Sequence, residues 1–326
     1  MKIIVLAGGD SPEREVSVRS GKAVAKALCS LRHEVALLDP IRQVPKGNIF
    51  TSDEAKVVKD YDDYVKSQRS IVCPLHPSVL EACLLCDKVF PALHGGIGEN
   101  GRLQAVFDCF GISYAGSCAE ACSAAMDKII SKRLYESAAI RTPLYTVHEY
   151  NSNRPPVAPR YPCVIKPATG GSSIGVYFAD CPSELEMSVK KAHRICDSVI
   201  IEEKIVGREL SVSVLNDVPI AVTEIIPQSK YYDYESKYAI GGAREITPAP
   251  VSSDITKSAL TLALRAHKAL GMKNFSRTDI LLQSGSSLLY ALETNTLPGL
   301  TETSILPQAA KSKGIDFPSL CLKMLY

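Results

Sequence analysis

Apolar and polar positions fall into two periods along the chain. Residues 2–7 are a compact aliphatic run stopped by Gly8 and Gly9, which predicts a buried strand. Ser11-Pro12-Glu13 then has the form of a helix start, with Ser11 as N-cap, Pro12 at the first helical position and acids in the first turn. Val16, Val18, Ala23, Val24, Ala27 and Leu28 carry the helical pattern onward. Residues 34–38 and 88–93 read as further strands, the second ending at His94-Gly95-Gly96. Residues 101–110 read as a helix with Leu103, Val106, Phe107 and Phe110 on one face. This βαβ rhythm predicts a parallel sheet covered by helices, with ligands at the carboxyl ends of its strands. The two glycine-rich strand ends are therefore candidate functional loops.

Past residue 118 the pattern changes. A helix is expected over 119–139, through Ala124, Met126 and Leu134, ended by Arg141-Thr142-Pro143. Residues 151–162 hold four prolines and read as an exposed loop. Strands at 163–166, 174–178 and 199–203 flank a glycine-serine loop at 169–175, with a helix at 183–195. Strands at 209–216 and 219–226 lead into a tyrosine-rich polar loop, and a helix follows at 253–270. Strands at 278–283 and 287–293 pair through Ser284-Gly285-Ser286. A helix around Gln308 and another near residue 326 close the chain.

Composition narrows the function classes. A chain of 326 residues suggests two or three domains. With 37 Lys+Arg against 35 Asp+Glu, a dedicated nucleic-acid binder or a polybasic membrane anchor is disfavoured. No apolar run nears the ~20 residues of a membrane helix, and the first run enters Gly8-Gly9-Asp10 as a strand does, not as a signal peptide does. The 11 cysteines are odd in number and follow no export signal, so reduced thiols in a cytoplasmic protein are expected, all small buried apolar residues. Cys83 and Cys86 lack a second CxxC for a zinc site, and Cys118 and Cys122 have the wrong spacing to supply it.

Two constellations carry chemistry. The loop at 170–175 offers successive backbone N–H groups and two hydroxyls, which suits polyphosphate; it is equally an ordinary turn when taken alone. It is not a Walker A loop, and no strand-GxGxxG-helix occurs. Asp279 and Glu293 fall on neighbouring strands, with Asn295 on the same face as Glu293. Three such oxygen donors suit Mg²⁺, although a solvated strand face reads the same way in isolation.

Taken in order, eight runs resemble the D-alanine–D-alanine ligase family of the ATP-grasp fold across nearly the whole chain. They are residues 8–17, GGDSPEREVS; 93–104, LHGGIGENGRLQ; 125–128, AMDK; 164–167 with 171–176; 207–210, GREL; 232–238, YDYESKY; 277–279, RTD; and 292–301, LETNTLPGLT. The resemblance implies an α/β chain of three domains: a Rossmann-like unit at 1–118 for the first D-alanine, a central ATP-grasp unit at 119–207, and a C-terminal one at 208–326 with metal and second-substrate sites. ATP is expected between the second and third. Lys128, Lys166 and Ser173 would meet its phosphates, Glu202, Glu203 and Ile205 its adenine, and Glu209 its ribose. Asp279, Glu293 and Asn295 would hold two Mg²⁺ (or Mn²⁺) ions.

In that family one D-alanine carboxylate takes the γ-phosphoryl group of ATP, and the amine of the second D-alanine displaces phosphate from the acylphosphate. Glu13 would bind the first ammonium, with His94 near its carboxylate. Arg277 and the Gly299 N–H would stabilise the tetrahedral intermediate. Ser304, Ile305 and Lys237 would bind the second carboxylate, and Glu13, Ser172 and Tyr238 would form a triad. A tyrosine at 238 favours an amine nucleophile over D-lactate. A ligase of D-alanine with D-serine or D-lactate is the rival within the class, and a nucleotide-binding regulator with a dead site is the rival outside it. Retention of every charged site residue disfavours the regulator, and the first-domain motifs and short length disfavour a biotin-type carboxylase. A cytoplasmic homodimer serving peptidoglycan synthesis is implied. Departures from the family pattern are Asn100, Ala168-Thr169-Gly170, Leu300 and Asn274-Phe275-Ser276, where the bulk of Phe275 raises the question of crowding beside the metal residues.

Overall fold

The computed structural model describes residues 1–67, 73–227 and 243–326. Lys237 and Tyr238 lie outside the described residues. Among the described residues, three sheets organise the chain. The first is parallel, in the order β2-β1-β3, with β1 at Lys2–Leu6, β2 at Glu34–Leu38 and β3 at Lys88–Pro91. Residues 3–6 are fully buried, as a continuous apolar run in a covered parallel sheet must be. Helix α1, Arg14–Ser30, packs on this sheet at Gly21, where a Cβ would sit 2.3 Å from that of Ala7.

Ser11 does not cap α1. The helix begins at Arg14, after a turn; Ser11 Oγ donates to His94 O at 2.6 Å and accepts from Glu13 N at 3.2 Å. The serine thus ties together the two glycine-rich strand ends. Two helices were not anticipated from the sequence: α2 at Glu54–Ser67, whose Val57, Tyr61 and Tyr64 recur on one buried face, and α3 at Pro77–Cys83, which starts with Pro77 after the cap His76. The short α4, Gly96–Glu99, and α5, Arg102–Phe110, follow β3.

The helix expected over 119–139 is two helices, α6 at Ala119–Met126 and α7 at Lys128–Ser137. Asp127 makes the break. Its carboxylate caps α7 by accepting from Ile129 N at 2.8 Å and Ile130 N at 3.1 Å, and its extended backbone redirects the chain.

The second sheet is antiparallel, β4-β7-β5-β6: β4 at Tyr145–Glu149, β5 at Cys163–Pro167, β6 at Tyr177–Ala179 and β7 at Ser198–Glu203, with α8, Pro182–Ala192, against it. The third, also antiparallel, is β10-β9-β8-β11-β12: β8 at Gly207–Leu215, β9 at Val218–Pro227, β10 at Ala243–Ile246, β11 at Phe275–Gln283 and β12 at Leu289–Asn295. Helix α9, Ser253–Ala269, packs on this sheet, and α10, Ile305–Lys311, packs against β8 and β9. The last helix, α11 at Phe317–Met324, lies on α1.

The largest apolar cluster joins the first sheet to Leu215, Phe275, Leu297, Leu306, Leu320 and Met324. The ring of Phe275 enters this core, 3.5 Å from where a Cβ on Gly116 would stand, so its bulk goes into packing and not toward the metal residues. All eleven cysteines are free thiols, but they are not all buried: Cys29, Cys83, Cys122, Cys163 and Cys321 are, while Cys73 and Cys109 are exposed.

Candidate active site

One cleft of about 840 Å³ opens among the three sheets. Glu13, His94, Lys128, Lys166, Ser172, Ser173, Glu202, Glu203, Ile205, Glu209, Arg277, Asp279, Glu293, Asn295, Gly299, Ser304 and Ile305 all line it. Residues up to 295 positions apart in sequence, Glu13 and Gln308, meet there.

On one wall, Glu202 is almost fully buried and paired twice. Lys132 Nζ lies 2.8 Å from its Oε1, and Lys166 Nζ lies 2.6 Å from its Oε2. Burial alone would raise the Glu202 carboxyl, but Lys132 and then Lys166 outweigh it and hold it down to about 2. Lys132 has no exposed side-chain surface, and that desolvation depresses its ammonium against the pull of Glu202. Lys166 shifts upward: burial opposes, and Glu202, Glu293 and Glu209 prevail.

Helix α7 puts Lys128 in the cleft and Lys132 and Tyr135 in the buried layer behind it, three residues that share one helix face. Lys128 N donates to Ala168 O at 2.8 Å and its Nζ to Gly170 O at 2.7 Å, so the start of α7 grips the glycine loop. Burial depresses Lys128, with Glu293 opposing and Lys166 adding to the depression.

Within the loop, Ser172 and Ser173 both adopt left-handed backbone, φ 55° and 58°. For non-glycine residues this costs about 1 kcal/mol each, and such strain gathers where function needs it. Gly175, at φ +76°, is obligatory in a second way: a Cβ would meet Ile195 Cδ1 at 2.5 Å and Pro167 Cγ at 2.9 Å.

Opposite the lysines, β11 and β12 present a polar row. Register pairs Arg277 with Asn295 and Asp279 with Glu293. Asp279 accepts from Arg277 Nε at 3.0 Å and Nη2 at 2.7 Å, from Ser211 Oγ at 2.6 Å and from Asn295 Nδ2 at 3.1 Å. The pairing then jumps from Asp279–Glu293 to Ile280–Ala291. This β-bulge places Leu292 and Glu293 together on the cleft side, where plain alternation would send one of them away. Among the described residues no group of three or more His, Cys, Asp or Glu side chains converges. The donor set here is instead two carboxylates and an amide, all hard oxygen donors of the type that Mg²⁺ or Mn²⁺ takes together with phosphate oxygens.

The first sheet supplies the remaining wall. Glu13 Oε2 stands 3.2 Å from where a Cβ on Gly95 would be, so glycine there makes room for the carboxylate. His94 is 5% exposed; its Nδ1 contacts Leu297 O at 3.2 Å and its Nε2 contacts Ser20 Oγ at 3.0 Å. A carbonyl only accepts, so Nδ1 carries the proton. The imidazole thereby staples the end of β3 to the 297–300 loop, where Leu300 N also donates to Ser20 Oγ at 3.3 Å. Ser304 occupies the N-cap position of α10 without making a cap bond; its hydroxyl meets Thr301 N at 3.1 Å and Thr301 Oγ1 at 2.7 Å. A Cβ on Gly299 would lie 2.7 Å from Ser304 Oγ, so glycine there makes room for the Ser304 hydroxyl at the cleft wall.

Sequence reading missed Lys132 and Ser211. The first is signalled by its position four residues after Lys128, and the second by its place two residues past Glu209 on the strand face opposite Asp279.

Two family models match the chain: "D-ala D-ala ligase N-terminus" over residues 2–117 and "D-ala D-ala ligase C-terminus" over residues 151–326. A D-alanine–D-alanine ligase of Gloeobacter violaceus is 37% identical over 331 residues, spanning 100% of this chain and 98% of the relative. One from Granulibacter bethesdensis is 38% identical, spanning 99% and 96%. Among solved structures, the VanG D-Ala:D-Ser ligase of Enterococcus faecalis superposes with TM-score 0.80 at 28% identity, covering 99% of this chain and 98% of that one. A D-alanine–D-alanine ligase from Bacillus anthracis complexed with ATP shares the fold with TM-score 0.76 at 23% identity, covering 100% and 96%. Matched by the two family models over residues 2–117 and 151–326, in that order, and aligned along its whole length with a relative 37% identical to it, this chain belongs to the D-alanine–D-alanine ligase family.

Proposed function

We propose that this protein joins two D-alanines at the expense of ATP, through a D-alanyl phosphate, to supply D-alanyl-D-alanine for peptidoglycan. The observation that carries the reading is the single cleft in which the glycine loop, two lysines, the Asp279–Glu293–Asn295 row and Arg277 meet Glu13, His94 and Ser304. Phosphoryl transfer needs positioning and charge neutralisation more than covalent help. Lys128, Lys166 and the N–H groups around Ser172 and Ser173 suit polyphosphate, Glu202, Glu203 and Ile205 suit adenine, and Glu209 suits the ribose. Asp279, Glu293 and Asn295 would hold two Mg²⁺ or Mn²⁺ ions, which when bound neutralise charge building on the phosphate oxygens. Glu13 takes the ammonium of the first D-alanine, with His94 beside its carboxylate. Arg277 and Gly299 N–H face the oxygen that becomes negative in the tetrahedral intermediate. Ser304 and Ile305 at the start of α10, with Lys237, take the second carboxylate; Tyr238 completes a triad with Glu13 and Ser172.

We divide the chain at about residues 118 and 207 and read it as a cytoplasmic homodimer. The structural likeness to a D-Ala:D-Ser ligase supports D-serine as the alternative second substrate, with D-lactate the further one. Phosphate release from ATP and Mg²⁺ with D-alanine, D-serine, D-lactate or L-alanine tests the reading. Release is expected with D-alanine alone; none with D-alanine from folded protein rejects it, and preference for D-lactate overturns the argument from Tyr238. Glu293→Gln is expected to abolish turnover.

A further inference from the structure

Directly behind the polar row of the cleft, three hydroxyls form a chain. Tyr135 OH lies 2.8 Å from Thr294 Oγ1, which lies 3.0 Å from Thr278 Oγ1. All three residues are buried. Thr278 stands between Arg277 and Asp279, and Thr294 between Glu293 and Asn295. Neither threonine lines the cleft, so each touches the site only through its neighbours.

The position of the chain relative to the bulge gives it meaning. Pairing runs Arg277–Asn295, Thr278–Thr294, Asp279–Glu293 and then skips Leu292. A bulge is a point at which neighbouring registers compete, and a slip of one residue would turn Glu293 to the opposite face. Thr278 and Thr294 face each other directly only in the observed register, so their hydroxyl contact exists only there. Tyr135 ties the pair to α7, the helix that also presents Lys128 and Lys132. Burial first, and then the carboxylates of Glu293 and Asp279, push the Tyr135 phenol up against the pull of its Thr294 bond, so it stays protonated.

We infer that Tyr135, Thr294 and Thr278 are positioning residues that hold Asp279, Glu293 and Asn295 in register for a divalent cation. The inference rests on the metal role proposed for those three residues. Losing a buried hydroxyl lowers stability whatever its purpose, so stability does not discriminate. Cation affinity does. Mn²⁺ is titrated into the full chain with saturating ADP, free Mn²⁺ is read by electron paramagnetic resonance, and folding is confirmed by circular dichroism. Tyr135→Phe and Thr294→Val are expected to weaken Mn²⁺ binding about tenfold, while Thr294→Ser, which keeps the hydroxyl, binds like the parent. If Glu293→Gln weakens binding but Tyr135→Phe and Thr294→Val do not, the inference alone is overturned. If Thr294→Ser is as weak as Thr294→Val, the hydroxyl chain is not the cause and the inference falls. If Glu293→Gln binds like the parent, the metal role itself is wrong and the inference goes with it. Should Tyr135→Phe fail to fold, the two Thr294 variants decide.

Discussion

Lys132 reaches Glu202 across 2.8 Å in a place where neither side chain meets bulk water. Lys166 meets the other oxygen of the same carboxylate at 2.6 Å, so one buried anion sits between two cations. Burial would favour a neutral carboxyl, and the two ammonium groups reverse that preference. Removing the anion leaves two like charges facing each other in the wall of the cleft.

Glu202→Gln is therefore expected to destabilise the protein at neutral pH by about 3–5 kcal/mol. The pH dependence follows from the sign. The folded carboxyl at about 2 lies below its ordinary 4.5, so its stabilisation is complete above 4.5 and is lost as pH falls from there toward 2. Urea unfolding at pH 7 and pH 3.5 checks this: the parent loses more stability between the two than the Gln variant does.

A second titration has the same direction and a different window. His267 is fully buried on α9, with Nδ1 2.7 Å from Ser276 Oγ and Nε2 2.9 Å from Asp217 Oδ1. Burial lowers it below the ordinary 6.5, and Asp217 only partly offsets that. Unfolded chains then take up a proton that the folded protein refuses, so stability falls as pH drops below 6.5. Thermal melts from pH 7.5 to 5.5 are expected to show this slope in the parent and a shallower one in His267→Gln.

Gly299→Ala places a methyl group 2.7 Å from Ser304 Oγ. The loop must move to admit it, and a displacement near 1 Å at a reacting centre costs about 10²-fold. The expected outcome is that loss in kcat/KM for the second D-alanine, with KM for ATP held near the parent value.

Gly175→Ala meets Ile195 and Pro167 and must also hold φ +76°. A raised KM for ATP is expected. Adding Ile195→Ala removes the closer clash but not the backbone strain of about 1 kcal/mol, so the double variant recovers only part of the affinity. Full recovery would show that the clash alone matters.

Much of this was legible in residue order, and the exceptions share a cause. The strands of the first sheet follow from aliphatic runs, and the glycine loop from its composition. The hairpin Asp279–Glu293 follows from turn chemistry, but its bulge does not, because alternation has no way to announce an extra residue. Ser11 looked like a cap because Ser-Pro-Glu is a good helix start; the tertiary bond to His94 O took its hydroxyl instead. Asp127 was hidden inside an unbroken helical pattern, yet a capping carboxylate there splits the helix and aims Lys128. Lys132 drew no reading, since its place one helical turn after Lys128 does not reveal a carboxylate seventy residues away. The role of the 228–242 segment, with Lys237 and Tyr238, rests on the family motif alone.

Helix α11 lies against α1, and Leu320, Cys321, Met324 and Leu325 fill the same core as the strands at residues 2–6. Tyr326 OH even reaches Met1 Sδ at 3.3 Å. On the ribosome this has a cost in time. Domains generally close as they emerge, amino end first, but the unit that displays Glu13 and His94 lacks part of its apolar cover until some two hundred further residues have been made. The third of the molecule synthesised first is therefore among the last to finish folding, and the face of α1 that waits for the last helix is where a chaperone would have to stand guard.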